Sequence, residues 1–189
     1  MGKWQGYCRV FDESGLIILH ETFILFLIGV VVNRDNVDGA MNLNLGCGHS
    51  LLDEYINVDI KLPCNVILDL RDKLPFADES IDEVFACCVI TSLSLAEWQN
   101  IKSDWVRVLK PSGRLIILDH DVNEYMRIFL LKEITRRECT DVIWGSDQWG
   151  WCKQGVVAED IISDLVQEGI AVTEFSNQDP RTLEIVFTK

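Results

Sequence analysis

Proline is scarce in this chain, four in 189 residues, and histidine is scarcer, at His20, His49 and His120 alone. With 12 glycines and a hydrophobic share of 48%, the composition excludes a disordered tail or a low-complexity repeat. Positive charge is also short. Seventeen Lys and Arg face thirty Asp and Glu, giving a formal charge of -13, and such a chain repels phosphate backbones, so nucleic acid is not expected as a partner. The seven cysteines (Cys8, Cys47, Cys64, Cys87, Cys88, Cys139, Cys152) are odd in number and contain no C-x-x-C pair. Neither a zinc cluster nor a disulfide scaffold is expected from them, no metal site is read, and reduced thiols in a cytoplasmic protein are the expected state. Nothing has the form of a Ser-His-Asp triad or a phosphate P-loop.

Long apolar runs are missing too, with one partial exception. Residues 16–32, LIILHETFILFLIGVVV, are interrupted by His20, Glu21 and Thr22, which leaves ten unbroken apolar residues, whereas a spanning helix needs about 20. Glu21 and Asp38 also spoil a signal peptide, and Gly6 stands where a myristoylation signal wants Ser or Thr. The segment is read as a buried strand pair or helix, packed on the domain or on a second copy in a homodimer; a membrane or secretory role is the alternative. Residues 1–40 are accordingly expected to be an apolar extension, and residues 41–189 the working domain.

From Met41 onward the pattern is regular. MNLNL, YINVDI (55–60), NVILDL (65–70), IDEVFACCV (81–89) and GRLIILD (113–119) are the Val, Ile and Leu runs expected of strands buried on both faces of a parallel sheet. Between the last two, Ser94 and Glu97 have capping-box spacing, and Trp98, Ile101, Trp105 and Val108 line one face of a helix. Further helices are expected over 124–137 and 157–167, the latter ending near Gly169, and two strands joined through 177–180 form a terminal hairpin. The fold class is α/β: a doubly wound, mostly parallel sheet, Rossmann-like, with a C-terminal antiparallel hairpin.

Three strand ends carry candidate chemistry. Gly46-Cys47-Gly48 is a turn where backbone can approach a ligand. Leu51 stands where a dinucleotide fingerprint wants its third glycine, which disfavours a pyrophosphate site. Asp59, followed by Ile60, ends the second strand, where a carboxylate can accept both hydroxyls of a ribose; Asp69 and Leu70 end the third, where an acid and a backbone amide could read an adenine edge. Asp119, His120 and Asp121 follow the fifth strand and face the same crevice by topology, so His120 and Asp119 are the candidates for proton transfer. Trp144, Trp149 and Trp151 bracket a loop that could stack on a sugar or pack on the sheet edge.

The blocks LNLGCG, INVDI, DLRDKLPFADESIDEVFA and WVRVLKPSGRLIIL, in that order, resemble the successive motifs of class I S-adenosylmethionine-dependent methyltransferases of the small type 11 kind. The stretch GSDQWGWCKQGVVAEDIISDLVQEGI is similar to the tail of a predicted-methyltransferase subgroup associated with carbohydrate biosynthesis. The resemblance implies S-adenosylmethionine as cofactor and a small molecule or glycan as acceptor. It assigns Gly46 and Gly48 to the methionine part, Asp59 to the ribose and Asp69 with Leu70 to the adenine, places Cys87 and Cys88 under the methyl donor, and counts Cys47 and Ile60 among the cofactor-binding residues. Two departures stand out. Residues 49–54 leave room for little more than one turn before the second strand, and Cys88, Ser92 and Cys152 occupy places where relatives often carry His. The latter raises the alternative of a cofactor-binding or assembly protein without turnover.

Overall fold

The structure, a computed structural model, describes residues 9–12, 15–18, 40–146, 150–179 and 182–189. Among these, the strands are β1 (Arg9–Asp12), β2 (Gly15–Ile18), β3 (Asn42–Leu45), β4 (Tyr55–Asp59), β5 (Val66–Ile67), β6 (Ile81–Cys87), β7 (Leu109–Asp119), β8 (Gly145–Ser146), β9 (Gly150–Trp151), β10 (Ala171–Asp179) and β11 (Thr182–Thr188). The helices are α1 (Leu95–Val108), α2 (Val122–Leu130), α3 (Arg136–Trp144) and α4 (Ala158–Gln167).

One mixed sheet organises the molecule, in the order β10-β11-β7-β6-β3-β4-β5-β1-β2. Strands β7, β6, β3, β4 and β5 run parallel, and β11 and β10 close one edge antiparallel, as the alternating pattern and terminal hairpin lead one to expect. The parallel strands bury apolar side chains on both faces: Leu43, Leu45, Val58, Val84, Leu115 and Ile117 are almost wholly enclosed. Against them pack Trp98 and Trp105 of α1, in edge-to-face contact at 5.5 Å, and Ile161 and Leu165 of α4. Where α1 meets α4, Asp164 accepts hydrogen bonds from Trp98 Nε1 (2.8 Å) and Lys102 Nζ (3.1 Å), so the buried lysine keeps a partner.

The chain visits β3, β4 and β5 on one side and then returns to place β6 on the other side of β3. That reversal leaves a crevice outside the carboxyl ends of β3 and β6, where ligands bind in open α/β sheets. The connection from β3 to β4 contains no helix, in keeping with its shortness; turns fill residues 46–54.

Three expectations need adjusting. The strand expected over 65–70 pairs only at Val66–Ile67, after which the Leu68 amide turns back to donate to Asp59 O at 2.9 Å. The helix expected over 124–137 is two, α2 and α3. Lys132 adopts a left-handed φ of 62°, while the amides of Lys132 and Glu133 close on Phe129 O and Ile128 O, a Schellman stop. Thr135 and Glu138 then form a capping box that starts α3. Of the apolar extension, β1 and β2 form a hairpin that adds antiparallel to β5 at the sheet edge; of the run 16–32, for which packing on the domain or on a second copy was expected, residues 19–32 lie outside the described residues. Among the described residues no helix is long and apolar enough to cross a membrane.

Candidate functional site

The turn after β3 is tied to β4 by its own backbone. The amides of Gly46 and Cys47 both donate to Val58 O, at 2.8 and 3.1 Å, and Gly46 takes φ +64°. A Cβ on Gly46 would lie 2.6 Å from Val89 Cγ2, so the loop can approach β6 only without a side chain there. Gly48 takes φ +51° and faces open space, and its amide donates to Asp59 Oδ2 at 2.9 Å. Asp59 Oδ1 accepts from Lys61 N at 3.0 Å. One carboxylate thus clamps the glycine turn to the end of β4, and each of its oxygens keeps a further lone-pair direction for a ligand hydroxyl.

Beneath the turn lies a polar support that composition gave no reason to suspect. Asn44 Nδ2 donates to Asn57 Oδ1 (2.8 Å) and Ser50 O (2.9 Å), and Asn57 Oδ1 also accepts from Leu52 N (2.9 Å). Two buried amides hold the loop where larger α/β units use a helix. Cys47 contributes backbone alone: its side chain is buried, and burial followed by the charge of Asp59 pushes the thiol up to about 11.

The crevice itself is a cleft of about 300 Å³. Its walls include Gly46, Asp59, Ile60, Asp69 and Leu70, which the motifs singled out, brought together from the ends of β3 and β4 and the chain after β5. They also include Leu68, Arg71, Cys88, Val89, Ser92, Leu93 and Lys153. Of the two cysteines expected under the methyl donor, Cys88 lines the cleft, whereas Cys87, Cys47 and Gly48 are not among its walls.

Asp69 is already engaged by a cation. Arg71 Nε donates to both its oxygens at 2.8 and 3.0 Å, Arg71 Nη2 adds a further contact, and this pairing holds the carboxyl below its ordinary value. Arg71 Nη1 also approaches Glu97 Oε1 at 3.4 Å, and Lys153 Nζ reaches Glu97 at 3.0 Å. A chain of alternating charge, Asp69–Arg71–Glu97–Lys153, therefore runs along one rim. Glu97 falls to about 2, first through the Ser94 amide it caps and then through Lys153. Arg71 was visible in D-L-R two places after the acid, whereas Lys153 lies in the W-C-K-Q-G tail, where no local pattern points to the cleft. It arrives because residues 153–154 are stitched to the short turn of 3-10 helix (Ile90–Ser92) after β6: Lys153 N donates to Thr91 O (2.8 Å), and Gln154 Nε2 to Ile90 O (3.1 Å).

In the cleft wall Cys88 adopts φ +54°, and its Sγ lies 3.9 Å from Cys87 Sγ and 3.9 Å from His120 Nε2. His120 stands edge-on to Tyr125 at 5.5 Å. Asp119, 2% exposed, accepts the His120 amide on Oδ1 at 2.9 Å, whereas Oδ2 has no partner. Burial pushes this carboxyl up to about 7. Neither His120 nor Asp119 lines the cleft, but His120 Nε2 lies against Cys88, which does. Of the tryptophans, Trp144 is exposed at the end of α3, Trp151 lies in β9, and Trp149 is outside the described residues. Among the described residues no group of three or more His, Cys, Asp or Glu is placed to hold a metal ion.

The arrangement offers a glycine turn, a strand-end carboxylate with spare acceptor capacity and apolar walls at a topological switch point, which suits a nucleoside. Residues 58–117 match the family model described as a methyltransferase domain. That segment runs from the Asp59 strand through β7, and S-adenosylmethionine is the cofactor such domains use. No curated protein matches the chain. Solved structures share its fold. A SAM-dependent methyltransferase of Methanosarcina mazei is 14% identical with a TM-score of 0.60, over 86% of this chain and 96% of that one. One of Archaeoglobus fulgidus is 15% identical with a TM-score of 0.59, over 90% and 95%. An S-adenosylmethionine-dependent methyltransferase of Mesorhizobium loti is 13% identical with a TM-score of 0.58, over 80% and 91%. At these identities the structures speak to the fold: a Rossmann-like methyltransferase sheet. The residues present fit the cofactor, since Gly48 opens onto free space and Asp59 retains acceptor sites beside it.

Proposed function

We propose that this chain binds S-adenosylmethionine in the cleft at the β3–β6 switch point and transfers its methyl group to a small molecule or glycan. The observation that carries the reading is Asp59, whose two oxygens each take one backbone amide of the surrounding loops while the carboxylate faces the cleft. When bound, the cofactor supplies an electrophilic methyl on a sulfonium. Asp59 accepts the ribose hydroxyls, and the glycine turn lets backbone approach the methionine part. Asp69, held by Arg71, and the Leu70 backbone meet the adenine, with Leu68 and Leu93 as apolar walls. Methyl transfer needs chiefly in-line alignment, so the absence of histidine at Cys88, Ser92 and Cys152 leaves the chemistry open. His120, behind Cys88, takes the proton where an acceptor must lose one. Kinship with the carbohydrate-associated subgroup rests on the W-C-K-Q-G tail, whose Lys153 lines the cleft.

A second reading, cofactor binding without turnover, is favoured by the thiol and hydroxyl that replace those histidines. Incubating the protein with S-adenosylmethionine labelled at the methyl, plus fractionated small-molecule and glycan pools, separates the two. The expected result is label in one pool that Asp59→Ala reduces by roughly 30-fold at limiting cofactor, corresponding to about 2 kcal/mol for lost hydrogen bonds to a charged group. Cofactor binding with no label in any pool would replace the first reading by the second.

A further inference from the structure

Cys87, the last residue of β6, and Cys88, which follows it, carry chemistry that methyl transfer does not require. Both are exposed, their sulfurs stand 3.9 Å apart, and Cys88 holds a left-handed backbone conformation in the cleft wall. A disulfide between them would be strained, because neighbouring Cα atoms are about 3.8 Å apart across a trans peptide, below the roughly 4.4–6.8 Å that disulfides adopt. A single bridging atom suits the spacing far better. An atom bonded at about 2.3 Å to each sulfur, at the pyramidal angle on the order of 100° of trivalent arsenic, holds them about 3.5 Å apart, a small side-chain adjustment from the observed spacing. We propose that Cys87 and Cys88 form a dithiol capture site for a soft, thiophilic centre that bonds two sulfurs, of which a monosubstituted trivalent arsenical is the simplest.

Three features of the surroundings support this. Contact with Cys88 lowers the Cys87 thiol, the group that attacks first, and the same contact, with burial, raises Cys88. His120 Nε2 lies 3.9 Å from Cys88 Sγ and can take up the second thiol's hydrogen. Among the described residues no group of three or more His, Cys, Asp or Glu is placed to hold a metal ion beside the pair. The step balances without an oxidant or reductant. Two thiols and R–As=O give R–As(S)₂ and water: the As=O and both S–H bonds are replaced by two As–S bonds and two O–H bonds, and arsenic stays trivalent. None of this depends on methyl transfer.

The test uses the full chain, reduced with a phosphine and treated with one equivalent of phenylarsine oxide. The expected product is one adduct per chain, lighter by one water than the simple sum, stable to excess monothiol and released by 2,3-dimercaptopropanol. Protease mapping of the wild-type adduct should place it on the peptide holding Cys87 and Cys88. Because the second As–S bond forms within one molecule, Cys87→Ser and Cys88→Ser should each lower monothiol-resistant occupancy by at least about tenfold, and Cys152→Ser should leave it unchanged. An adduct mapped to other cysteines, or full occupancy in either single variant, would overturn the proposal.

Discussion

Gly46 and Gly48 flank one cysteine yet answer to different constraints. Both have positive φ, but only at Gly46 would a Cβ collide, with Val89 Cγ2 at 2.6 Å. Gly46→Ala should therefore cost about 3 kcal/mol, from left-handed strain plus overpacking, and Gly48→Ala only about 1 kcal/mol; urea unfolding of both variants checks the difference. Asp119 supports a prediction in pH. Its folded-state value of about 7 lies above the unfolded value of about 3.9, so between those limits the folded state binds more protons and stability falls as pH rises. Asp119→Asn keeps the acceptor for the His120 amide and removes the titration. The wild type should lose ground relative to the variant from pH 4 to pH 7 in denaturant melts, and a gap independent of pH would contradict the burial argument. The same residues show what was legible. Gly46, Asp59 and Asp69 could be placed from strand ends, since short buried strands fix where the chain emerges. Lys153 and the Asn44–Asn57 pair could not, because side-chain partners 13 and 56 residues apart leave no local pattern.

At the scale of elements, two helices end in the same way with different residues. After α4, Gly169 takes φ +90° while its amide donates to Val166 O and the Ile170 amide reaches Leu165 O; after α2, Lys132 takes φ +62° with the matching bonds to Phe129 O and Ile128 O. The glycine stop was readable in the sequence. The lysine stop was not, which is why 124–137 read as one helix despite the T-x-x-E box at Thr135 and Glu138. Lys132→Gly should accordingly raise stability by about 0.5–1 kcal/mol, visible as a higher urea midpoint at unchanged slope. The start of α1 was legible for the opposite reason: Ser94 accepts from Glu97 N at 3.3 Å and Glu97 Oε2 from Ser94 N at 2.7 Å, a reciprocal pair declared by spacing alone. Ser94→Ala should cost about 1 kcal/mol. It should also loosen the rim, because Glu97 anchors both Arg71 and Lys153.

Across the whole molecule, the order of strands does what no single motif does. Parallel runs of Val, Ile and Leu announce the sheet, but that β6 returns beside β3, so that Gly46 and Cys88 share a cleft, follows from topology and not from their 42-residue separation. The scarcity of positive charge takes on a local meaning as well: at the cleft the acids divide between Asp59, which keeps acceptor sites, and Asp69, which Arg71 neutralises. The edge hairpin β1–β2 extends the same sheet beyond β5, on the side away from β7. What the account claims above all is that this cleft binds S-adenosylmethionine through Asp59. Titration calorimetry with S-adenosylhomocysteine tests that most directly: the account predicts one site per chain, with affinity about 30-fold weaker in Asp59→Ala at unchanged fold, while no binding by the intact protein, or undiminished binding by the variant, would contradict it.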